Sequence, residues 1–337
     1  MLTKEDKILI TGGSGFIGTN SIELFEKKGY NVVNFDKAPP LKKSQEVYWT
    51  KGNIMNPEDL ESAFEKYQPT IVIHLAARTD TLSDNIDDYI ENTTGTKNVI
   101  EQIKKSETVK HLIVASTQYV YKSKNRPIPV KDDEYKPHTV YGETKRITEE
   151  YTRNSDLQCM WTIIRPCNVW GPWHLRFAGE LWKMIAQGIY IHPTKKPVIR
   201  TYAYIKNLTY QLDKILNAED NIVDKKTFYL GDVPVDSYIW LNEISNAFRG
   251  KDIKCMPKFL FWAAGVIGDF LRKVGLNFPM YSVRYRNMIE DYYTPTDTTI
   301  HLFGLRDSSY KNNVKETIDW IFEEGSEFIE FYKKFKK

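Results

Sequence analysis

The first half of the chain alternates short apolar runs with longer segments that mix polar and apolar residues. The runs contain five to seven residues each and are rich in β-branched side chains, which is typical of buried strands. The longer segments are predicted helices that separate one strand from the next. The predicted strands cover residues 7–11, 31–36, 70–76, 111–115 and 161–165, and the predicted helices cover residues 16–28, 57–66, 92–105 and 143–153.

Strands that alternate with helices form βαβ units, and these build a parallel sheet with helices on both faces. We therefore predict a doubly wound, Rossmann-type α/β fold, in which ligands bind along the carboxyl ends of the strands. After residue 165 the alternation stops and proline, tryptophan and tyrosine become frequent, which indicates a smaller mixed C-terminal domain. The predicted first domain is 1–167, with part of 200–230 returning to it, and the predicted substrate domain is 168–199 and 231–337.

Composition narrows the class of protein. The 337 residues exceed the size at which a single core usually stops growing, in line with two domains. Hydrophobic residues make up 41% and charged residues 27%, which is ordinary for a soluble globular protein. Positive and negative charges are interspersed and the net charge is only +3, so we expect no nucleic-acid partner.

The cysteines and the N-terminal sequence bear on location. Cys159, Cys167 and Cys255 are too few and too scattered for a disulfide framework or a zinc site, so we expect no metal and a reducing, cytoplasmic setting. The apolar run at residues 8–10 is far too short for a signal peptide. No stretch reaches the roughly 18 apolar residues of a membrane span.

A glycine-rich loop joins the first predicted strand to the first predicted helix. Residues 11–18 read TGGSGFIG, in which Gly13, Gly15 and Gly18 fit the spacing G-x-G-x-x-G and Gly12 with the last two fits G-x-x-G-x-x-G. Such glycines allow a tight turn and let backbone N–H groups approach a pyrophosphate, which faces the positive end of the helix. Glycines also occur in ordinary turns, but the position between a strand and a helix favours dinucleotide binding.

Asp36 ends the second predicted strand, eighteen residues after Gly18. A carboxylate at this position accepts hydrogen bonds from both ribose hydroxyls of NAD and repels the additional phosphate of NADP. Lys37 follows and weakens that repulsion, so we predict a preference for NAD over NADP. The alternative role of Asp36 is that of a turn residue.

Tyr141 and Lys145 lie four residues apart at the start of a predicted helix, and so on one helix face. The pKa of a free tyrosine is near 10, and a neighbouring ammonium and a positive nicotinamide ring lower it. Tyr141 then takes a proton from a substrate hydroxyl while hydride leaves carbon for NAD. Without the glycine loop, the same spacing would simply indicate a solvated helix face.

Residues 116–121, STQYVY, directly follow the strand at 111–115, so their hydroxyls lie at the ligand edge of the sheet. Thr117 is predicted to exchange a hydrogen bond with the reacting oxygen. Alternatively, Ser116 or Thr117 caps the strand end.

Taken together, these residues resemble the extended short-chain dehydrogenase/reductase family, in its sugar-nucleotide epimerase and dehydratase branch. The resemblance extends over nearly the whole chain. It rests on TGGSGFIG at 11–18, Asp36, GNI at 52–54, HLAA at 74–77, ENTTGT around Asn92, STQYVY at 116–121, YGETK at 141–145 and IIRPCNVWGP at 163–172.

The resemblance implies bound NAD, a catalytic triad and a nucleotide-sugar substrate. The implied catalytic residues are Thr117, Tyr141 and Lys145. The implied NAD-binding residues are Gly12, Gly15, Phe16, Ile17, Gly18, Asp36, Asn53, Ile54, Leu75, Ala76, Ala77, Asn92, Tyr141, Lys145 and Cys167. The implied substrate-binding residues are Thr117, Asn168, Arg200 and Arg284. The resemblance also implies a homodimer, in which the helix with Tyr141 and the helix at 92–105 pair with their copies.

Departures from the family pattern select among its reactions. Gln118 and Tyr119 stand where the dehydratases carry an acid pair, so water elimination lacks its acid and base. The same two residues replace the glutamate of the decarboxylases and the cysteine of the double epimerase-reductases. A 4-epimerase remains, in which hydride leaves C4 for NAD and returns to the opposite face. The alternatives are a net oxidoreductase or dehydratase-like enzyme, and an NAD-binding regulator, which typically loses the tyrosine or the lysine.

The substrate side departs further from the family. Residues 200–204 read RTYAY where the family usually reads R-D-F-x-Y. A guanidinium suits phosphate oxygens, so Arg200 is a candidate diphosphate ligand with Arg284 or Arg286 as a second, although each by itself is equally consistent with a surface charge. We expect a UDP-linked hexose or N-acetylhexosamine used in cell-surface polysaccharide assembly, with a polyprenyl-diphosphate-linked sugar as the alternative.

Residues 257–276 form a predicted helix whose apolar stripe is too broad for a solvated face. The simpler interpretation is that this helix packs inside the substrate domain. The alternative is that it lies on a membrane surface, with Lys258, Arg272 and Lys273 at the lipid head groups. The second interpretation makes the protein peripheral to the inner face of the membrane.

Overall fold

A parallel sheet lies at the centre of the computed structural model, which describes residues 2–121, 131–276, 278, 280–324 and 328–335. The strands in these residues are β1 (Lys7–Thr11), β2 (Asn31–Asp36), β3 (Trp49–Lys51), β4 (Ile71–His74), β5 (His111–Ala115), β6 (Met160–Pro166), β7 (Asn168–Trp170), β8 (Ile191–His192), β9 (Ile199–Arg200), β10 (Tyr202–Tyr204), β11 (Lys226–Leu230), β12 (Val235–Asp236) and β13 (Lys254–Cys255). The helices are α1 (Phe16–Lys27), α2 (Pro57–Tyr67), α3 (Thr96–Lys105), α4 (Val140–Arg153), α5 (Leu175–Gly179), α6 (Leu181–Gln187), α7 (Ile205–Leu216), α8 (Asp220–Val223), α9 (Ser237–Arg249), α10 (Lys258–Lys273), α11 (Ser282–Ile289), α12 (Asp297–Phe303), α13 (Tyr310–Glu323) and α14 (Ile329–Tyr332).

Seven of these strands pair side by side in the order β11–β6–β5–β4–β1–β2–β3, and all neighbours run parallel. The chain winds from β1 outward to β3 and then from β4 outward to β11, so its direction reverses between β1 and β4. In sheets of this kind ligands bind at the carboxyl ends of the strands at such a reversal. The predicted doubly wound Rossmann-type fold is confirmed.

Both faces of the sheet are buried, which explains why its strands contain continuous apolar runs. In β1, Ile8 and Ile10 belong to the apolar cluster that includes Phe25 of α1. Leu9 between them belongs to a second cluster, which includes Leu60 of α2. Because successive side chains of a strand point to opposite faces, every residue of such a run meets a helix.

The predicted elements agree closely with the observed ones, with three informative differences. Helix α4 begins before the predicted residue 143, because Thr139 caps it by accepting a hydrogen bond from the Gly142 N–H at 3.0 Å. Helix α3 begins later than predicted, because Glu91–Gly95 forms a turn of π-helix before it. Strands β3 and β11 were not predicted as strands.

After β6 the chain returns once to the central sheet. Helix α7 packs on α1, and β11 then completes the sheet beside β6. Short strand pairs follow, β7 with β10, β9 with β12 and β8 with β13, and α9 packs against α6 and α13. The division of the chain into two domains stays a prediction.

Helix α10 corrects the expectation that the apolar segment at 257–276 packs inside the protein. It contacts α11, and Gly265 and Gly268 are its buried residues among those described. The side chains of Trp262 and Phe270 are 58% and 66% exposed. In the part of the chain that the structure describes, no helix combines the length and the hydropathy needed to cross a bilayer.

Candidate active site

A cleft of about 700 Å³ opens at the carboxyl ends of the strands, across the reversal between β1 and β4. It brings together most of the residues that the sequence analysis selected. The predicted residues that line it are Gly12, Gly15, Phe16, Ile17, Gly18, Asp36, Asn53, Ile54, Leu75, Ala76, Ala77, Thr117, Tyr141, Lys145, Cys167 and Asn168. The predicted residues that do not line it are Asn92, Arg200 and Arg284.

The glycine loop is tight enough to exclude side chains. Gly12 has a φ of +74°, and a Cβ on it would lie 2.6 Å from the backbone nitrogen of Ala76. A Cβ on Gly18 would lie 2.5 Å from the Cα of Gly13. Helix α1 begins after Gly15 without a side-chain cap, so the N–H groups of its first turn face the cleft without a competing carboxylate or hydroxyl. This loop is a cradle that fits a dinucleotide pyrophosphate.

The carboxylate of Asp36 is held at the cleft by two backbone N–H groups. Ser14 donates to one oxygen at 3.1 Å and Ala38 to the other at 3.0 Å. Lys37, which we expected to weaken the preference for NAD, lies 3.4 Å from Glu91, so a carboxylate of the protein already offsets part of its charge. The arrangement suits a ribose with two free hydroxyls better than a ribose phosphate.

Asn92 stands behind the cleft and supports its wall. The side-chain oxygen of Asn92 accepts from the backbone N–H of Arg78 at 2.8 Å. The side-chain nitrogen donates to the backbone carbonyl oxygen of Arg78 and to the Thr144 hydroxyl, both at 3.0 Å. These bonds join the loop after β4 to helix α4. Asn92 does not line the cleft itself, but its hydrogen bonds hold the backbone of Arg78, which does.

Tyr141 and Lys145 are both buried on the cleft side of α4. The Lys145 ammonium donates to the Ala115 carbonyl oxygen at 2.8 Å. Burial lowers the pKa of Lys145 to about 8, against the opposing influence of Glu149. Burial raises the pKa of Tyr141, and its hydrogen bond with Thr117 opposes that rise. Tyr141 is therefore a proton donor at neutral pH, and a cationic ring beside it in the cleft would favour its phenolate.

The two hydroxyls after β5 have different surroundings. Ser116 donates to the buried carboxylate of Glu149 at 2.5 Å. Thr117 lines the cleft, and its hydroxyl bonds to Tyr141. Ser116 also lines the cleft, but its hydroxyl is bonded to Glu149, so Thr117 is the better candidate to meet a substrate oxygen next to Tyr141.

A buried ion pair that the sequence analysis missed anchors helix α4, which carries Tyr141 and Lys145. Glu149 accepts two hydrogen bonds from Arg165 of β6, from Nε at 2.8 Å and from Nη2 at 2.7 Å. Both side chains are buried, and the pair holds the pKa of Arg165 above its ordinary value. Glu149 lies four residues after Lys145 on α4, so its spacing in the sequence already placed these two side chains on one helix face. That spacing does not identify Arg165 as the partner of Glu149.

The two residues after Thr117 do not supply an acid pair. Gln118 is not among the residues that line the cleft, and its side-chain amide oxygen accepts from the Thr294 hydroxyl at 2.8 Å. Tyr119 lines the cleft, with its ring centre 6.3 Å from that of Tyr141, and burial raises its pKa. Neither side chain ionises as a carboxyl group would.

The predicted substrate residues fall into two places. Asn168 lines the cleft, and its amide oxygen accepts from the Tyr119 hydroxyl at 3.4 Å. Arg200 and Arg284 lie outside the cleft lining, yet their positive charges both oppose the burial that raises the pKa of Tyr190. The charges of these two arginines thus act on the same side chain although the residues are far apart in the sequence.

Among the cleft residues that were not predicted are His174, Phe177 and Arg78. His174 stacks on Phe177 with ring centres 4.2 Å apart and meets Phe16 edge to face at 4.7 Å. Burial lowers the pKa of His174 to about 4, so the ring is neutral at physiological pH. Arg78 also lines the cleft and forms an ion pair with Asp80 at 2.7 Å. Arg78 could have been predicted as a cleft residue, because it directly follows the motif HLAA. Nothing in the sequence indicated His174.

Comparisons with known proteins agree with this geometry. The family described as "NAD dependent epimerase/dehydratase family" matches residues 8–231. The chain is 28% identical over 180 residues to a 3-beta-hydroxysteroid dehydrogenase of Mycolicibacterium neoaurum, a match to 49% of this chain and 48% of that protein. The chain thus spans about half the length of that relative.

Two longer matches cover most of the chain. An N-acetyl-alpha-D-glucosaminyl-diphospho-ditrans,octacis-undecaprenol 4-epimerase of Escherichia coli O157:H7 is 26% identical over 296 residues, which are 83% of this chain and 85% of that protein. The crystal structure of UDP-glucuronic acid 4-epimerase from Bacillus cereus, in complex with UDP-glucuronic acid and NAD, has a TM-score of 0.69 at 20% identity. That match covers 94% of this chain and 98% of the other and shows a shared fold.

Proposed function

Because the chain belongs to the NAD dependent epimerase/dehydratase family, we propose that it is a 4-epimerase for a sugar linked to a diphosphate. Membership confirms the predicted family and NAD as its cofactor, and it agrees with the prediction of an enzyme. The residues fit that cofactor, because the glycine loop leaves room for a pyrophosphate and Asp36 faces the cleft. When bound, NAD supplies the acceptor for the C4 hydride and the donor that returns it.

The observation that carries this proposal is the position of Tyr141, Lys145 and Thr117 at one end of the cleft. Tyr141 takes the proton from the sugar O4 hydroxyl in the oxidation and gives it back in the reduction. Thr117 shares a hydrogen bond with Tyr141 and so orients its hydroxyl. Lys145 lines the same cleft, and its bond to the Ala115 carbonyl oxygen fixes the position of its ammonium group.

The surroundings of Gln118 and Tyr119 support epimerisation over dehydration. A dehydratase must remove a proton next to the carbonyl and protonate the leaving hydroxyl, and it needs an acid and a base beyond Tyr141. Gln118 has its side chain bonded to Thr294, and Tyr119 is a buried phenol. Without an acid pair after Thr117, removal and return of hydride is the reaction that these residues favour.

For the substrate, the first candidate is a UDP-linked hexose or N-acetylhexosamine. Asn168 in the cleft and the two arginines near Tyr190, Arg200 and Arg284, provide polar groups suited to a diphosphate. We place the reaction in the assembly of a cell-surface polysaccharide.

A second candidate substrate is a sugar carried on a polyprenyl diphosphate. The Escherichia coli relative whose name specifies such a carrier aligns over 85% of its length. The exposed apolar face of α10 suits a protein that works beside lipid.

Two alternative functions give different results in an assay. A net oxidoreductase would release NADH when substrate is added, and an NAD-binding regulator would bind NAD and turn over no sugar.

The direct test is turnover of matched donors followed by NMR of the products. UDP-N-acetylglucosamine, UDP-glucose and N-acetylglucosaminyl-diphospho-polyprenol are each incubated with the protein and NAD. We expect inversion at C4 with no accumulation of NADH. Water loss or stoichiometric NADH would contradict the proposal, and the preferred carrier decides between the two candidates.

The role of Tyr141 is tested by Tyr141→Phe, which we expect to bind NAD normally and to lose at least about a hundredfold in rate, the scale of a general acid-base group. Tyr151→Phe is the matched control, because Tyr151 lies on the same helix and its hydroxyl bonds to Glu101 rather than to cleft residues. Near-normal turnover in Tyr141→Phe would remove this residue from the mechanism.

A further inference from the structure

Helix α10 carries its large apolar side chains on the face that the described part of the chain leaves exposed. The face that packs is made of glycine: Gly265 lies against Ser282 of α11, and a Cβ on Gly268 would collide with the carbonyl oxygen of Met280. Phe259, Trp262 and Phe270 are 66%, 58% and 66% exposed. This is the reverse of an ordinary surface helix, which buries its apolar face and exposes its polar one.

The exposed side chains form one continuous stripe. At 3.6 residues per turn, Phe259, Trp262, Val266, Ile267 and Phe270 occupy roughly 140° of the helix circumference. The sixteen residues of α10 make a helix about 24 Å long, which is shorter than the hydrocarbon core of a bilayer is thick. A surface that buries this stripe must therefore lie alongside the helix.

Charge identifies the kind of surface. Residues 251–286 contain seven basic and two acidic residues, a net charge of +5, whereas the whole chain has a net charge of +3. The remaining residues therefore sum to −2, so this segment carries more net positive charge than the whole chain. Lysines stand at both ends of the helix, as Lys258 and Lys273, and both are exposed.

We propose that α10 is a membrane-docking helix that lies in the plane of an anionic bilayer surface. The apolar stripe enters the boundary between head groups and acyl chains, and the flanking lysines meet anionic head groups, the arrangement by which amphipathic helices bind membranes. A second copy of the chain is the less favourable occupant, because a two-fold interface would press two segments of net charge +5 together.

Docking in this way has a consequence for the site. Helix α11, on which α10 packs, carries Arg284, and Glu290 at its C-terminal end accepts a hydrogen bond from Arg200 Nε at 3.4 Å through its backbone carbonyl oxygen. The membrane surface would then lie close to the two arginines that we propose as diphosphate ligands. The docking proposal itself does not depend on the reaction, and its test uses binding alone.

The test is flotation of the full chain with vesicles made of equal parts phosphatidylcholine and phosphatidylglycerol, and with vesicles of phosphatidylcholine alone. We expect the protein to float with the anionic vesicles and to remain at the bottom with the neutral ones. Replacing Lys254, Lys258 and Lys273 by glutamine should weaken binding about fivefold for each lysine removed, since each basic residue at an anionic surface contributes about 1 kcal/mol.

The apolar stripe is tested by Trp262→Glu with Phe270→Glu, for which we expect at least a tenfold loss of binding to anionic vesicles. The matched control is Val47→Glu with Ile239→Glu, because these side chains are 81% and 54% exposed elsewhere on the surface. NAD binding by each variant checks that it is folded, and none of the four residues lines the cleft.

Three results would overturn the proposal. The first is a wild-type protein that stays at the bottom with anionic vesicles. The second is flotation that survives the change of Trp262 and Phe270. The third is a dimer, measured by light scattering, that the same change converts to a monomer while the wild type does not float. In that third case a second copy covers the stripe.

Discussion

Glu149→Gln is the change that best tests how the catalytic helix is held. The substitution keeps the shape of the side chain and removes its charge. Glu149 now accepts from both Nε and Nη2 of Arg165, from Ser116 at 2.5 Å and from Tyr135 at 3.1 Å. In the variant, the fully buried guanidinium of Arg165 faces a neutral amide. A buried ion left without its partner costs about 3 to 5 kcal/mol.

This cost converts to a change in melting temperature. For 337 residues the entropy of unfolding is about 0.7 kcal/mol per degree, taking roughly 2.1 cal/mol/K for each residue. The expected decrease in Tm is therefore about 4 to 7 °C. Calorimetry and circular dichroism should be run together, because coincident transitions are needed before the shift is converted to a free energy.

Glu150→Gln is the matched control. Glu150 is the next residue of α4, its side chain is 42% exposed, and it pairs with Arg146 at 2.5 Å. An exposed pair of this kind contributes about 0.2 to 1 kcal/mol, so we expect its loss to lower Tm by no more than about 1.5 °C. Equal shifts in the two variants would refute the argument that burial makes the Glu149 pair different.

The same variant reports on the chemistry. Glu149 raises the pKa of Lys145, which burial lowers to about 8. Removing the carboxylate therefore lowers this pKa further, and the Lys145 ammonium is lost at lower pH. The alkaline limb of kcat/KM against pH should move to lower pH in Glu149→Gln and stay in place in Glu150→Gln. An unchanged profile in both would mean that Glu149 only stabilises the fold.

Three further outcomes are expected. Asp36→Ala should narrow the preference for NAD over NADP in calorimetry, and tighter binding of NADP by the wild type would contradict the role of Asp36. Burial, with a smaller effect of Lys145, lowers the pKa of His74 from 6.5 to about 3, so below pH 6.5 the unfolded chain binds a proton that the folded chain does not. The free energy of unfolding should therefore fall by about 1.6 kcal/mol between pH 6.5 and pH 5, and His74→Gln should remove that part of the pH dependence in urea titrations. We expect a homodimer through α3 and α4, and a monomer mass by light scattering at micromolar concentration would rule it out.

Local and regularly spaced features were predictable from the sequence. The strands β1, β2 and β5 were placed correctly, because each is a short segment with apolar, mostly β-branched residues at its centre, separated from the next by a helical segment. The glycine loop and the pair Tyr141 and Lys145 were recognisable because their function depends on short spacings along the chain. The structure brings these separate motifs to one cleft, as expected for the carboxyl ends of parallel strands.

Features that depend on contacts distant in sequence were decided by the tertiary structure. Strand β3 has three residues, too few for a periodic signal, and it exists because β2 offers an edge with which it pairs. The ion pair of Glu149 and Arg165 joins a helix to a strand, so neither residue alone indicates a buried charge. The same holds for Arg200, whose side chain bonds to the backbone carbonyl oxygen of Glu290, 90 residues later in the chain.

Helix α10 shows both what the sequence determines and what only the tertiary structure decides. Its sequence determined that it is a helix with a broad apolar stripe, because apolar residues recur along it with the 3.6-residue period of an α-helix. The same period fits a helix inside a core and a helix at a surface. The tertiary structure decided between them, because Gly265 and Gly268 let α10 approach α11 closely and so turn its large side chains outward.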